Sequence, residues 1–153
     1  MLSPDGRCQP FSDLANGYVR GEGAGLLVIK RLSQAERDRD AIYGVVRGSA
    51  INHGGRANSL TAPNTKAQAD LIRSGYRQSG IDPSTVTYIE AHGTGTAIGD
   101  PVEVNALKQA FHSMGVDNFH GKCGLGSVKS NIGHLELAAG VAGVIKVLKQ
   151  MQQ

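Results

Sequence analysis

The sequence predicts an α/β protein with a parallel sheet covered by helices. Two observations carry that prediction. Short apolar or β-branched runs alternate with amphipathic stretches of helical period, the pattern of strand–helix pairs joined by crossovers. Two of those runs lead into glycine-rich turns that each hold a histidine: Glu90-Ala91-His92-Gly93-Thr94-Gly95-Thr96 and Lys129-Ser130-Asn131-Ile132-Gly133-His134. Functional residues at the carboxyl ends of strands are what an open α/β sheet favours.

The elements follow in order. Gly17 to Leu32 contains Leu26-Leu27-Val28-Ile29, and Ala41 to Asn52 contains Ile42-Tyr43-Gly44-Val45-Val46; both runs are short and β-branched enough to read as buried strands. Between them Ser33 to Asp40 reads as a charged, solvated connector. After the Pro63-Asn64 turn, Ala67, Leu71, Ile72, Gly75 and Tyr76 recur at helical spacing, with Asn64 as N-cap and Gly80 just past the end. Thr85 to Ile89 reads as a strand that delivers the chain to His92.

Asp100-Pro101-Val102-Glu103 reads as a helix start, with Asp100 as cap, Pro101 at the first position and Glu103 completing the box. Val104, Leu107, Ala110 and Phe111 line one face as far as Gly115, and Val116 to Lys122 reads as a surface loop. Gly124 to Val128 is a glycine-punctuated strand. From His134, the residues Leu137, Ala138, Val141, Val144, Ile145 and Leu148 are apolar over an arc wide enough to predict a buried helix, with Gly140 and Gly143 admitting a close neighbour.

Composition sets limits on function. At 153 residues one domain of ordinary size is expected. A net charge of +3 spread without a basic run, and 5% aromatic residues, argue against nucleic-acid binding. Two cysteines without regular spacing, no apolar run of membrane length and no charged leader before an apolar stretch point to a reducing, cytoplasmic setting and no membrane partner.

The paired histidines are the sharpest signal. Imidazole titrates nearest neutral pH, so two such rings can act as donors or proton carriers without extreme tuning. A single histidine after a strand is more often a packing residue, and it is the pairing that points to chemistry. His53, His112 and His120 have no motif context and read as loop or surface residues. His120 with Cys123 makes too few ligands for a zinc site, so no metal is expected. Gly21-Glu22-Gly23-Ala24-Gly25 lies within an apolar strand and no glycine immediately precedes Lys129, so neither meets the phosphate-loop template.

The two histidine segments occur together with Asp5-Gly6-Arg7-Cys8, Gly17-Tyr18-Val19-Arg20-Gly21-Glu22-Gly23-Ala24-Gly25 and Leu60-Thr61-Ala62-Pro63-Asn64. In that order they resemble the β-ketoacyl synthase (ketosynthase) domain of modular polyketide synthases, nearly end to end. Asn52-His53-Gly54-Gly55-Arg56-Ala57-Asn58-Ser59 looks most like the version from assembly lines whose acyltransferase is a separate protein.

The resemblance implies part of a thiolase-like fold, layered α-β-α-β-α. Residues 1–40 would be the end of the N-terminal half and a connector, and 41–153 a truncated C-terminal half. Ketosynthases carry their nucleophilic cysteine in a Thr-Ala-Cys-Ser-Ser-like segment, which the resemblance places upstream of this chain. Neither Cys8 nor Cys123 sits at a strand-to-helix elbow that would activate it. A fragment inactive by itself, with uncovered apolar surface, is therefore expected.

The implied activity is decarboxylative Claisen condensation of an acyl thioester with malonyl carried on the phosphopantetheine of an acyl carrier protein, with no resident cofactor. His92 and His134 would donate to the malonyl thioester oxygen as the enolate forms. His134 at the start of the last helix would be kept neutral by the helix dipole. Lys129 would be an orienting charge, and Thr94 and Thr96 would bind the pantetheine amides. The simpler reading of these threonines, hydroxyls satisfying nearby backbone, stays open beside it. Implied partners are an acyl carrier protein suited to a mildly basic surface, a second copy in a homodimer, and other polyketide synthase domains. The alternative function is a non-elongating module that only binds and passes on acyl chains. Such versions often lose the histidine that His92 supplies here.

Overall fold

The computed structural model describes residues 1–55, 63–117 and 121–153. Residues 56–62, which hold parts of the Asn52–Ser59 and Leu60–Asn64 segments, lie outside the described residues, as does His120. The secondary structure runs α1 Leu32–Asp38, α2 Thr65–Ser79, β1 Tyr88–Glu90, α3 Gly99–Ser113, β2 Gly124–Gly126, α4 Lys129–Ile132 and α5 Ala139–Gln150, with 3-10 turns at Pro83–Thr85 and Glu136–Ala138. The strands β1 and β2 pair in parallel, with Tyr88, Ile89 and Glu90 opposite Gly124, Leu125 and Gly126. The parallel crossover and the α/β class are as expected.

Helix α2 is bounded by local chemistry alone. The Asn64 side chain accepts the Ala67 N–H at 3.1 Å, and Gly80 turns left-handed at φ 64° while its N–H reaches the Tyr76 carbonyl at 3.1 Å. The helix packs on α3 through small side chains: Ala69, Ala106 and Ala110 are buried, with Ile72 and Met114 against them. Tyr76 meets Phe111 edge-on, 5.4 Å between ring centres.

Several expectations are corrected. The stretch that reads as a connector between strands is helical, as α1, because Gln34-Ala35-Glu36-Arg37 are good helix formers and Arg39 closes the helix at φ 58°. Only Ala35 of α1 is buried, so its solvated character is as expected. The strand expected over Thr85 to Ile89 starts only at Tyr88 and runs to Glu90, since Asp82 accepts the Ser84 N–H at 2.9 Å and starts a 3-10 turn over Pro83–Thr85. Leu26–Ile29 and Ile42–Val46 form no ladder among the described residues. Leu26 is 94% and Val28 100% exposed. The segments do lie along α5, whose Val141, Ile145 and Leu148 side chains pack within 3.1 Å of where a Cβ on Gly25 or Gly44 would stand. A buried strand needs neighbours on its edges as well as a helix on its face, and no described residue supplies them.

Helix α5 starts at Ala139 and not at His134, because Gly133 (φ 75°) and Glu136 (φ 52°) break the helical path. It is also less buried than its apolar arc predicts: only Ala139 and Gly143 are buried, and Leu137, before it, is fully exposed. Gly143 does permit a close approach, since a Cβ there would stand 3.3 Å from the Glu90 Cγ, whereas one on Gly140 would meet nothing within 4 Å. No helix among the described residues is long and apolar enough to cross a membrane.

Candidate active site

The residues at the ends of β1 and β2 are brought together by the N-terminal segment. His134 N–H donates to the Val19 carbonyl at 2.7 Å and its own carbonyl accepts from Gly21 at 3.0 Å, while Gly17 N–H donates to the Gly95 carbonyl at 2.9 Å. The motif around Gly17–Gly21 thus clamps both histidine turns. The His92 and His134 rings lie 5.3 Å apart, edge to face at 82°, and the Tyr18 ring stands 5.2 Å from His134.

Two carboxylates at the start of α3 hold the His92 turn. Glu103 accepts the His92 N–H at 2.7 Å with one oxygen and the Gly93 N–H at 2.8 Å with the other. Asp100 is 4% exposed and bridges the Gly95 N–H at 3.1 Å and the Phe11 N–H at 2.7 Å. The capping-box expectation is therefore corrected. Ile98 occupies the cap position and the Thr96 hydroxyl accepts the Gly99 N–H at 3.0 Å, which frees Asp100 and Glu103 to reach the turn. Phe11 is held at φ 61°, a strained conformation for an aromatic residue, and its ring packs on Gly93. The acidic pair is visible in the sequence, but its spacing suits a capping box equally well.

Gly95 shows how tightly the turn is built. It sits at φ 76°, and a Cβ there would stand 2.8 Å from the Gln9 backbone nitrogen. Gly95→Ala is expected to cost about 2 kcal/mol or more, combining the left-handed penalty with the backbone clash, and urea unfolding measures it.

The electrostatics favour uncharged rings. His92 is pushed below the ordinary imidazole value by desolvation, then by the Lys129 ammonium and the neighbouring His134, with Asp100 opposing. His134 is lowered by desolvation and by Lys129, with Glu136 opposing. Lys129 is 4% exposed and is itself pushed down by desolvation, against the raising effect of Glu103, Glu90 and Cys8. His134 lies outside the helix whose dipole was to keep it neutral. A related effect survives, because the Glu136 N–H, a donor in the first turn of the 3-10 segment, points to His134 Nδ1 at 2.9 Å. A neutral ring that accepts at Nδ1 carries its proton on Nε2, so Nε2 is the donor.

The direction of these shifts makes stability depend on pH. Between the depressed folded values and the ordinary imidazole value of 6.5, the unfolded chain binds protons that the folded chain does not. Stability is therefore full above pH 6.5 and declines as the pH falls below it, until the folded rings also protonate. Urea unfolding across that window should show the decline, and His134→Ala should shrink it.

The remaining site candidates are also placed. Thr94 and Thr96 are half-buried with hydroxyls 3.1 Å apart, and Thr96 is committed to the Gly99 N–H, which is the turn chemistry of the simpler reading. Cys8 is buried, its sulfur taking the Val19 N–H at 3.1 Å, and Cys123 has its thiol pushed up by burial. His53 accepts the Gly55 N–H and the exposed His112 pairs with Asp117 at 2.6 Å, as expected of loop and surface residues. No three His, Cys, Asp or Glu gather as a metal site among the described residues.

Comparison with known proteins adds two family matches. Residues 43–153 match the family described as beta-ketoacyl synthase, C-terminal domain, and residues 1–35 match beta-ketoacyl synthase, N-terminal domain. The chain is 64% identical over 156 residues to polyketide synthase PksN of Bacillus subtilis, covering 99% of this chain and 3% of that protein. It is 53% identical over 148 residues to polyketide synthase ThaG of Burkholderia thailandensis, covering 97% of this chain and 3% of the relative. Among solved structures, it superposes on the ketosynthase from module 6 of the bacillaene synthase of Bacillus subtilis with a TM-score of 0.91 at 56% identity, over 97% of this chain and 26% of that one. The oxazolomycin ketosynthase domain of Streptomyces albus gives 0.91 at 47% identity, over 97% and 25%. At these identities the fold is that of ketosynthases, the thiolase-like α/β fold, and the chain spans about a quarter of the solved domains.

Proposed function

The chain belongs to the β-ketoacyl synthase family, and on that premise we propose that it supplies the decarboxylation machinery of a ketosynthase that elongates polyketide chains. The observation that carries this reading is the edge-to-face pair of His92 and His134 beside buried Lys129, with both rings biased toward the neutral state. Malonyl on a carrier protein loses carbon dioxide when the bond to its carboxylate breaks and the electron pair moves through the α-carbon onto the thioester oxygen. Two neutral imidazole N–H groups aimed at that oxygen stabilise the charge as it develops. The α-carbon then attacks the acyl group held on the synthase's cysteine, forming the new carbon–carbon bond and releasing the thiolate.

Lys129 acts here as a fixed positive charge that keeps protons off both rings, and not as a base. Thr94 and Thr96 bind the pantetheine amides with the hydroxyl capacity that their contact with each other and with Gly99 leaves over. The substrates arrive on the phosphopantetheine arm of an acyl carrier protein, attracted by the net charge of +3. The active assembly is a homodimer working beside other polyketide synthase domains in the cytoplasm. The assembly line is of the kind with a separate acyltransferase, a reading supported by Asn52-His53-Gly54-Gly55. Residues 1–40 belong to the N-terminal half of the ketosynthase and 41–153 to the C-terminal half, and the cysteine nucleophile comes from outside these residues.

The non-elongating alternative is disfavoured by His92, which a module that only transfers chains does not need. A direct test uses a complete synthase containing this chain. His92→Ala should leave acylation of the nucleophilic cysteine intact while abolishing carbon dioxide release from malonyl carrier protein. Loss of acylation with decarboxylation preserved would overturn the assignment.

A further inference from the structure

A second polar cluster lies beneath the site, on the side of β1 that faces α5. Lys146 of α5 donates to the Tyr88 hydroxyl at 2.6 Å and to Glu90 at 2.7 Å, and Tyr88 donates to the same Glu90 oxygen at 2.7 Å. The three groups close a ring of hydrogen bonds that engages two of the three Lys146 N–H donors and the Tyr88 hydroxyl. The other Glu90 oxygen accepts the Val128 N–H at 2.6 Å. Val128 occupies the cap position of α4, whose first residue is Lys129.

The surrounding backbone is shaped to admit this cluster. A Cβ on Gly126 of β2 would stand 2.5 Å from the Tyr88 hydroxyl, and one on Gly143 of α5 would stand 3.3 Å from the Glu90 Cγ. Both positions leave the space that the carboxylate and the hydroxyl occupy. The Lys146 and Glu90 side chains are 24% and 11% exposed, so the pair lies in a setting where an unmatched charge is costly. Desolvation works against the Lys146 ammonium, yet its hydrogen bonds to Glu90 and Tyr88 hold it above the ordinary lysine value.

We infer that Lys146, Tyr88 and Glu90 form a positioning cluster that seats the Val128–Lys129 turn and so fixes the buried Lys129 ammonium relative to His92 and His134. The inference rests on the function proposed above. Glu90 is the element that joins the two regions: it holds the turn through Val128 and, with Glu103, provides the negative charge that Lys129 faces. Lys146 neutralises Glu90 from behind and prevents its carboxylate from swinging away from Val128. Tyr88 sets the distance between them.

The test uses the complete synthase and compares Lys146→Met, Lys146→Arg, Tyr88→Phe and, as a control on the same helix, the exposed Lys149→Met. Lys146→Met is expected to lower kcat for malonyl decarboxylation about tenfold through misplacement of the site, with KM and cysteine acylation unchanged. The acid limb of its pH–rate profile should move to higher pH, because a displaced Lys129 no longer holds the imidazoles down. Lys146→Arg should recover most of the rate, and Lys149→Met should behave as the parent.

A loss of rate that scales with the folded fraction, leaves the acid limb in place and is matched by lost acylation would mean that the cluster is merely structural. If Lys146→Met does not fold, Tyr88→Phe decides: a fall of about threefold in kcat with the same displacement of the limb supports the inference, and parental behaviour overturns it. Should His92→Ala still decarboxylate malonyl carrier protein, it is the function reading that has failed. The cluster is then judged by NMR titration of His92 and His134, whose pKa values rise in Lys146→Met if the inference holds and stay unchanged if it does not.

Discussion

Replacing both His92 and His134 with alanine in the complete synthase is expected to slow decarboxylation scarcely more than the worse single replacement. Each ring is assigned the same work, donation to one developing oxyanion. Removal of one such donor costs about 2.7–4 kcal/mol, or roughly a hundred- to a thousandfold in kcat. Independent donors would multiply, giving a loss of about ten thousandfold or more for the pair. Groups that act as a unit do not behave in this way, since the first deletion already disables the step. The rings are 5.3 Å apart, close enough to share one small substrate group. The measurement is carbon dioxide release for the two single variants and the double, compared as free energies. Circular dichroism and gel filtration must first match the parent, because the His134 ring also packs beside Tyr18 and accepts the Glu136 N–H. Full additivity in folded variants would assign the histidines to separate steps.

The second large effect is expected at Asp100, a residue assigned no contact with substrate. Its carboxylate is almost completely buried and accepts the backbone N–H groups of Phe11 and Gly95. Asp100→Ala leaves the buried Gly95 N–H and the partly buried Phe11 N–H without this partner and releases Phe11 from its strained conformation. A hydrogen bond to a charged group contributes about 1.5–3 kcal/mol, so the variant should lose about 3–5 kcal/mol of stability, read as a fall in the urea midpoint. Glu103→Gln keeps one acceptor for the His92 and Gly93 N–H groups and loses the other, so about half that loss is expected. An Asp100→Ala midpoint equal to that of the parent would show that the Phe11–Gly95 bridge is dispensable.

Local and modular features were legible in the residues alone. Asn64, Gly80 and the apolar spacing between them set the limits of α2, because caps and turns depend on residues within a few positions of each other. The two histidine motifs marked the ends of β1 and β2, and the alternation of elements foretold the parallel pairing. Family resemblance supplied the chemistry.

Long-range features had to wait for the packed chain. Leu26–Ile29 and Ile42–Val46 have the composition of buried strands, yet a strand is made by its neighbours, and none of the described residues pairs with them. Asp100 and Glu103 fit a capping box as well as they fit a clamp on the His92 turn, and only the placement of Thr96 and Phe11 distinguishes the two. Lys146 looks like one more solvated charge on an apolar helix until α5 is laid against β1, where its partner is 56 residues away in the chain. Helix caps are short-range hydrogen bonds that sequence spacing encodes, whereas the partner of a long side chain is chosen by packing, which spacing does not encode.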